Sequence, residues 1–568
     1  MNGARAGLIA LAAFAVLDLA LVHEVAWPIP WPLPATLLSV EALALVVALA
    51  WAAARGAAPA PRAVAWIAAL WVVLTLGRFV DVAVPAVFGR ALNLWWDGRH
   101  LPRVALLALA DQPPWRAAAA VALGAAATAA LALLLHRLAA AAVRALAGAL
   151  GHRTVRRGAI ALATPALLAG AAGLAAAYEP IGRHFATPVT ASWGLQAAFA
   201  VQAMSPASAD RALPPSPAFD RDLRALEHAD VIVVFAESYG ATVFDDPAFA
   251  ARLAGARAAL AAATRDAGLR AVSTAVASPT FGGASWLAHS ALLAGIDTRD
   301  PTRHDRLLAS ARPNLVGHFR RHGWETVALM PGLRTDWPEG RYWGFDRQLD
   351  ARTLGYDGPE FGFWRIPDQW SLARLHANEL AATGRAPRLV VFPTITSHAP
   401  FRPVPPLAGD WNALATEPRR AWTAEEVGAA LALAPDWADM RPAYGDALDY
   451  LLRSVAGWLR LPSGRARVIV LLGDHQPAAT VSGRGARWDV PVHVLSDRPA
   501  VLARLRAAGF VDGLDPPRDP IGPMHALTPL LLDAFAGCAS AASASSSPIA
   551  QAPSPSAAHD GAGRQGCP

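Results

Sequence analysis

Apolar positions run almost without interruption along the first third of the chain. Beyond about residue 227 they come in short bursts separated by polar stretches. In the first part, the segments 5–22, 35–54, 63–80, 116–135 and 157–177 are each long enough, or nearly so, to cross a bilayer as a helix. Spanning a hydrocarbon core takes about 20 apolar residues. Five transmembrane helices within residues 1–180 are the expectation. The first segment has the length of a secretory signal, but it lacks a convincing cleavage site and further apolar segments follow it.

The second part has a different rhythm. DVIVVFAE (230–237), ETVALM (325–330), RLVVFPTI (388–395), RVIVLLGD (467–474) and VPVHVLS (490–496) are short apolar runs of the buried-strand type. Between them lie helical patterns such as NLVGHFRRHGW (314–324) and PAVLARLRAAG (499–509). Strands alternating with helices predict an α/β domain over 227–537, with a mostly parallel sheet flanked by helices. Residues 181–226 read as a connector. The Ala/Ser/Pro-rich stretch 538–568 reads as a disordered tail.

Composition supports this division. Of the 568 residues, 54% are hydrophobic, more than a purely soluble chain of this length needs. The net charge is +6, and every strong base is Arg, because the chain has no Lys. A phosphate-cradling Walker lysine and a Schiff-base lysine are thereby excluded. The basic residues follow membrane topology better than a nucleic-acid face, and no nucleic-acid partner is expected. Arg137, Arg144, Arg153, Arg156 and Arg157 lie near the gap between the fourth and fifth segments with no acid among them. The positive-inside rule makes that gap cytoplasmic. Counting back and forward, the N-terminus is cytoplasmic and everything beyond residue 178 lies outside the cytoplasm, in the periplasm or extracellular space of a bacterial plasma membrane protein. The two cysteines, Cys538 and Cys567, both fall in the tail, so the domain has no cysteine nucleophile, metal site or disulfide of its own.

Open α/β sheets bind ligands beyond the carboxyl ends of their strands. Glu237 closes the first strand of the domain. Ser397 and His398 follow the RLVVFPTI strand, and Asp474 and His475 close RVIVLLGD. Carboxylates and an imidazole collected on one rim suit a divalent metal. PTFGGASWLAHSALLAG (279–295) adds a hydroxyl: two glycines lead to Ser285, and a helical pattern starts there. A bound cation lowers the pKa of a serine hydroxyl, flexible glycine backbone allows close approach, and a helix N-terminus favours an anion such as a phosphate or sulfate ester. Ser285 equally suits a plain helix N-cap. Thr280 is a rival nucleophile, and Ser290 is another, one turn into the helix.

With these residues in place, the chain resembles the sulfatase-like branch of the alkaline phosphatase superfamily. Its order of segments is similar to that of lipoteichoic acid synthases and related phosphoglycerol transferases, in which membrane spans precede an extracytoplasmic catalytic domain. Ser285 stands ten residues before Gly295 in SWLAHSALLAG, the family's spacing from the nucleophile to a glycine. The resemblance implies that Glu237, Ser285, Asp474 and His475 hold one metal ion and that Ser285 is the nucleophile. It also implies that His398, in TITSHAP, contacts substrate. Trp337 and Arg341, in TDWPEGRYWGFD, correspond to substrate contacts at a different spacing. Asp368, in IPDQW, matches a recurring position without an assigned role. The Pro and Arg that sulfatases carry after the nucleophile are absent here, because Ser285 is followed by Trp286, Leu287, Ala288 and His289. Formylglycine formation and sulfatase activity are therefore not implied. The missing disulfides favour the phosphoglycerol-transferring relatives over the phosphoethanolamine-transferring ones.

The expected function is a membrane-anchored, metal-dependent transferase. It would move a phosphoryl-alcohol group of the phosphoglycerol type from a phospholipid head group to an acceptor, through a phosphoserine intermediate. The acceptor is a glycan, another lipid or water. With water, the same scaffold is a phosphoric or sulfuric ester hydrolase. A non-catalytic membrane protein that keeps the fold for binding is the reading from another class. The donor set suits Mn²⁺, Zn²⁺ or Mg²⁺, and the resemblance favours Mn²⁺.

Overall fold

The computed structural model describes residues 2–26, 31–33, 35–99, 113–175, 183–204, 213–362 and 365–537. The tail 538–568, with both cysteines, lies outside the described residues. The chain divides into two compact units. One is Met1–Ala212 together with Ala478–Ala486; the other is Leu213–Pro477 together with Arg487–Pro568.

The first unit is helical: α1 (Gly3–Val22), α2 (Val40–Ala54), α3 (Pro61–Phe88), α4 (Pro114–Leu150), α5 (Arg153–Ala175) and α6 (Val189–Met204). Among the described residues, α1, α3, α4 and α5 are long and apolar enough to cross a membrane. The segment expected at 35–54 forms α2, which has only 15 residues, capped at its start by Ser39 and ended by Arg55. At 1.5 Å per residue it is about 22 Å long, short of a hydrocarbon core about 30 Å thick. The gap expected around Arg137 and Arg144 is helical as well. α4 runs through both to Leu150, because Ala, Leu and Arg are good helix formers and no proline interrupts them. The acids inside the apolar segments meet polar partners. Asp18 accepts the Ser39 N–H at 2.8 Å, and Glu41 accepts the Thr190 N–H at 3.1 Å.

The second unit is built on an eight-stranded sheet. Its strands are β3 (Asp230–Ala236), β4 (Arg270–Ala277), β5 (Glu325–Met330), β6 (Arg347–Asp350), β7 (Arg388–Pro393), β8 (Arg467–Gly473), β9 (Asp489–Ser496) and β10 (Val511–Asp512). The labels β1 (Glu24–Ala26) and β2 (Trp31–Leu33) belong to a small hairpin in the first unit. The order across the large sheet is β10-β4-β9-β8-β3-β7-β5-β6. Strands β8, β3, β7, β5 and β6 are parallel; β9 runs against both β8 and β4, and β10 against β4. The central strands are buried from end to end, as continuous Val, Ile and Leu runs require when both faces of a sheet are covered.

Strand β4 lacks such a run. RAVSTAVA buries Ser273 and Thr274, and Ser273 is tolerated inside because its hydroxyl donates to Gly513 O at 2.6 Å and lies 2.7 Å from His493 Nδ1. Because β4 points the same way as β8, the carboxyl ends of β3, β4, β7 and β8 lie on one rim.

Candidate active site

Register brings the first two acids together. β3 pairs with β8 so that Ala236 lies opposite Gly473. Glu237 and Asp474 are the next residues on strands about 4.8 Å apart, so both leave the sheet side by side. Gly473 keeps the crossing tight, since a Cβ there would stand 1.8 Å from Tyr239 O. His475 follows at once. Ligand atoms of Glu237, Asp474 and His475 lie within 4.8 Å of one another, and all three residues are buried.

The loop that carries Ser285 arrives from β4. Gly282 and Gly283 adopt positive φ of 64° and 138°, and Ala284 follows at 61°. This left-handed stretch, which glycine permits at little cost, turns the chain into α7 (Ser285–Ala294). Ser285 Oγ lies 3.2 Å from Glu237 Oε2 and 3.0 Å from His475 Nε2. Of the rival hydroxyls, Thr280 donates to Gly283 O at 2.7 Å and braces the loop, while Ser290 is buried within α7.

The hydrogen bonds set the ionic state of the cluster. His475 Nδ1 lies 2.8 Å from Gln476 O. A carbonyl only accepts, so Nδ1 carries the proton and Nε2 presents its lone pair toward Ser285, the tautomer a metal ligand needs. The same Gln476 carbonyl accepts the Gly282 N–H at 3.1 Å, tying the histidine to the serine loop. Asp474 Oδ1 accepts the backbone N–H groups of Ser238 and His475 at 2.8 and 2.7 Å. Its Oδ2 is buried and meets no donor. Burial, and then the neighbouring Glu237 charge, push the Asp474 carboxyl up to about 6. Two buried carboxylates, one oxygen without a partner and a lone-pair imidazole fit a divalent cation, whose charge would compensate them. The residues that could hold it are Glu237, Asp474, His475 and Ser285.

His398 lies on the turn after β7. Its Nδ1 donates to Ala399 O at 2.7 Å, and burial lowers its pKa. Beside it is a concavity lined by Phe361, Ile366, Ile395, Thr396 and Arg402. Trp337 and Arg341 lie in the connection between β5 and β6. Trp337 is packed against Phe345 and the core, and Arg341 is exposed on the short helix Gly340–Trp343. The structure thus brings Glu237, Ser285, Asp474 and His475 into one cluster, while Trp337 and Arg341 sit in the β5–β6 connection.

Further neighbours brace the cluster. Thr394 Oγ1 accepts the Glu237 N–H at 3.0 Å, and Ser397 Oγ donates to Glu237 O at 2.7 Å. Tyr444 donates to Ser238 O at 2.9 Å. His289, one helical turn beyond Ser285, lies with its ring tilted 4.3 Å from that of Phe235, and its buried Nε2 meets no hydrogen-bond partner. Burial lowers its pKa to about 4, so it is neutral at pH 7. The spacing of four from Ser285 is the one signal that pointed to it.

This chain is similar in structure to several solved proteins. A protein in the alkaline phosphatase superfamily from Vibrio parahaemolyticus matches at 14% identity and TM-score 0.32, over 56% of this chain and 72% of that one. The lipoteichoic acid synthase LtaP from Listeria monocytogenes matches at 12% identity and TM-score 0.31, over 50% and 69%. The phosphoglycerol transferase GacH from Streptococcus pyogenes matches at 12% identity and TM-score 0.32, over 49% and 70%. No protein-family model matches the chain. No curated protein matches its sequence.

Proposed function

We propose that the protein is a membrane-anchored, metal-dependent enzyme of the alkaline phosphatase superfamily that transfers a phosphoryl-alcohol group, of the phosphoglycerol type, from a phospholipid to an extracytoplasmic acceptor. What supports this most is the Ser285 hydroxyl, which touches Glu237 and His475 together at the mouth of a buried acid–imidazole cluster. Glu237, Ser285, Asp474 and His475 hold a divalent ion, Mn²⁺ in first place and Zn²⁺ or Mg²⁺ as alternatives. When bound, that ion supplies the charge that favours the Ser285 alkoxide and offsets the developing charge on phosphate.

Ser285 Oγ attacks phosphorus. A Ser285 Oγ–P bond forms, the bond from phosphorus to the lipid alcohol breaks, and that alcohol leaves with the proton. An acceptor hydroxyl, on a glycan or another lipid, then displaces Ser285 and restores its proton. The positive end of the α7 dipole, with Ser285 at its first position, favours the transferred phosphate. His398 orients that phosphate, and Trp337 and Arg341 contact the donor. The apolar helices keep the domain near lipid head groups, with the catalytic domain on the periplasmic or outer side of the plasma membrane.

Intact mass spectrometry tests this. The full chain in detergent is incubated with Mn²⁺ or Zn²⁺ and mixed bacterial phospholipids, beside Ser285→Ala. The expected result is a covalent adduct on the wild type, with the mass of a glycerophosphoryl group, that is missing from the variant. No adduct and no released head group with any metal overturns the enzyme; head-group release to water alone leaves a hydrolase.

A further inference from the structure

The turn after β7 is held by a residue outside the metal cluster. Asp368 opens helix α8 (Asp368–Leu375) and is fully buried. Its Oδ1 accepts the Ile395 N–H at 2.8 Å, and its Oδ2 accepts the Thr396 N–H at 2.9 Å. In return the Asp368 N–H donates to Thr396 Oγ1 at 3.2 Å. Two successive peptide N–H groups aimed at one carboxylate leave the turn little freedom. Burial raises the Asp368 pKa to about 6, which still leaves it ionised at neutral pH, the form that accepts both bonds.

The residues flanking this pair point the other way. Thr394 takes the N–H of Glu237 and Ser397 takes its carbonyl, so the turn grips the peptide of Glu237 from both ends. His398 is the next residue, and its own N–H donates back to Ile395 O at 3.1 Å. One short turn therefore carries the grip on Glu237 and the His398 imidazole, and Asp368 is the anchor of that turn.

We infer that Asp368 is a positioning residue that sets Glu237 for metal binding and His398 for substrate, through the turn 394–398. This rests on the roles of Glu237 and His398 proposed above. A buried carboxylate that only stabilised the fold would affect unfolding; one that positions Glu237 must also set metal affinity. Supporting partners of metal ligands typically change affinity by 10–100-fold.

The test is calorimetric titration of the full chain with Zn²⁺ and with Mn²⁺, alongside thermal unfolding, for wild type, Glu237→Ala, Asp368→Asn, Thr394→Val and Leu505→Ala. Leu505 is a fully buried core residue, so its truncation serves as a control for lost stability. Asp368→Asn keeps the size but turns an N–H group toward a backbone N–H. The expected result is metal affinity lowered about 10-fold or more in Asp368→Asn and in Thr394→Val, and unchanged in Leu505→Ala. Wild-type affinity in Asp368→Asn, with binding lost in Glu237→Ala, overturns the inference even if the melting temperature falls. If Asp368→Asn does not fold, Thr394→Val decides, and wild-type affinity there overturns it. If wild type and Glu237→Ala bind equally, the metal assignment of Glu237 fails first and this inference falls with it.

Discussion

Ser285 Oγ lies 3.0 Å from His475 Nε2, although the two residues are 190 positions apart in the chain. With Nδ1 of that histidine bound to a carbonyl, the nitrogen facing the serine is a base or a ligand and not a donor. Removing the hydroxyl should therefore remove chemistry and leave structure. Ser285→Ala is expected to lower turnover of phospholipid head groups by on the order of 10³-fold or more while metal binding persists. A variant within tenfold of wild type, assayed on the same lipids, would show that another group attacks.

Metal removal should act on stability as well as turnover. Without a cation, Asp474 and Glu237 are adjacent buried acids, and burial and this proximity raise Asp474 to about 6. A ligand that binds the folded state alone stabilises it by about 2.7 kcal/mol at one hundred times its dissociation constant. Chelation should lower the melting temperature of the wild type, and restored metal should raise it. Asp474→Asn should show no such rise. A melting temperature indifferent to chelator in the wild type would count against the cluster as a metal centre.

Gly240 should tolerate no side chain. A Cβ there would stand 1.9 Å from Gln476 Oε1 and 2.8 Å from Gln476 Cα. Gln476 cannot retreat freely, because its carbonyl holds both His475 and Gly282. Gly240→Ala is expected to cost about 1–3 kcal/mol and to weaken metal binding, measured by denaturant unfolding and titration. A silent substitution would mean that Gln476 is not the hub linking the histidine to the serine loop.

Acid should weaken the second unit in part through His318. This imidazole is buried on helix Leu315–Arg321, and neither ring nitrogen has a hydrogen-bond partner. Burial, then the nearby His322 and Arg321, lower its pKa from 6.5 to about 4. Above pH 6.5 both folded and unfolded states are neutral and its contribution is complete. Between 6.5 and about 4 the unfolded chain takes up a proton that the folded chain refuses, so stability falls as pH falls. The loss amounts to about 3 kcal/mol by pH 4. His318→Phe, which suits the neighbouring Phe219 and Phe319 rings, should flatten the stability profile over this window. An unchanged slope would assign the acid sensitivity to other groups.

Much of the fold is legible in the residues. Strands β3, β5, β7, β8 and β9 announce themselves as continuous apolar runs, because a strand covered on both faces needs no polar positions. Strand β4 does not, since its interior Ser273 is tolerated through bonds to Gly513 O and to His493 on a partner strand. The long α4 hid its length behind Arg137 and Arg144, which read as loop residues in an apolar context yet continue a helix readily.

The chemistry divides in the same way. The sequence by itself determined which groups stand at strand ends, because strand length and the following polar residue are local properties. It also determined that glycines precede Ser285, since backbone freedom belongs to the residue type. Only the tertiary structure decided that Ala236 and Gly473 share a register, and hence that Glu237 and Asp474 emerge side by side. Only it decided that Thr394 and Ser397 grip the peptide of Glu237 from a turn more than 150 positions away, and that Asp368 holds that turn. Register and long-range hydrogen bonds depend on which strands pair and how far each slides, and that is set by the whole core rather than by any segment read alone.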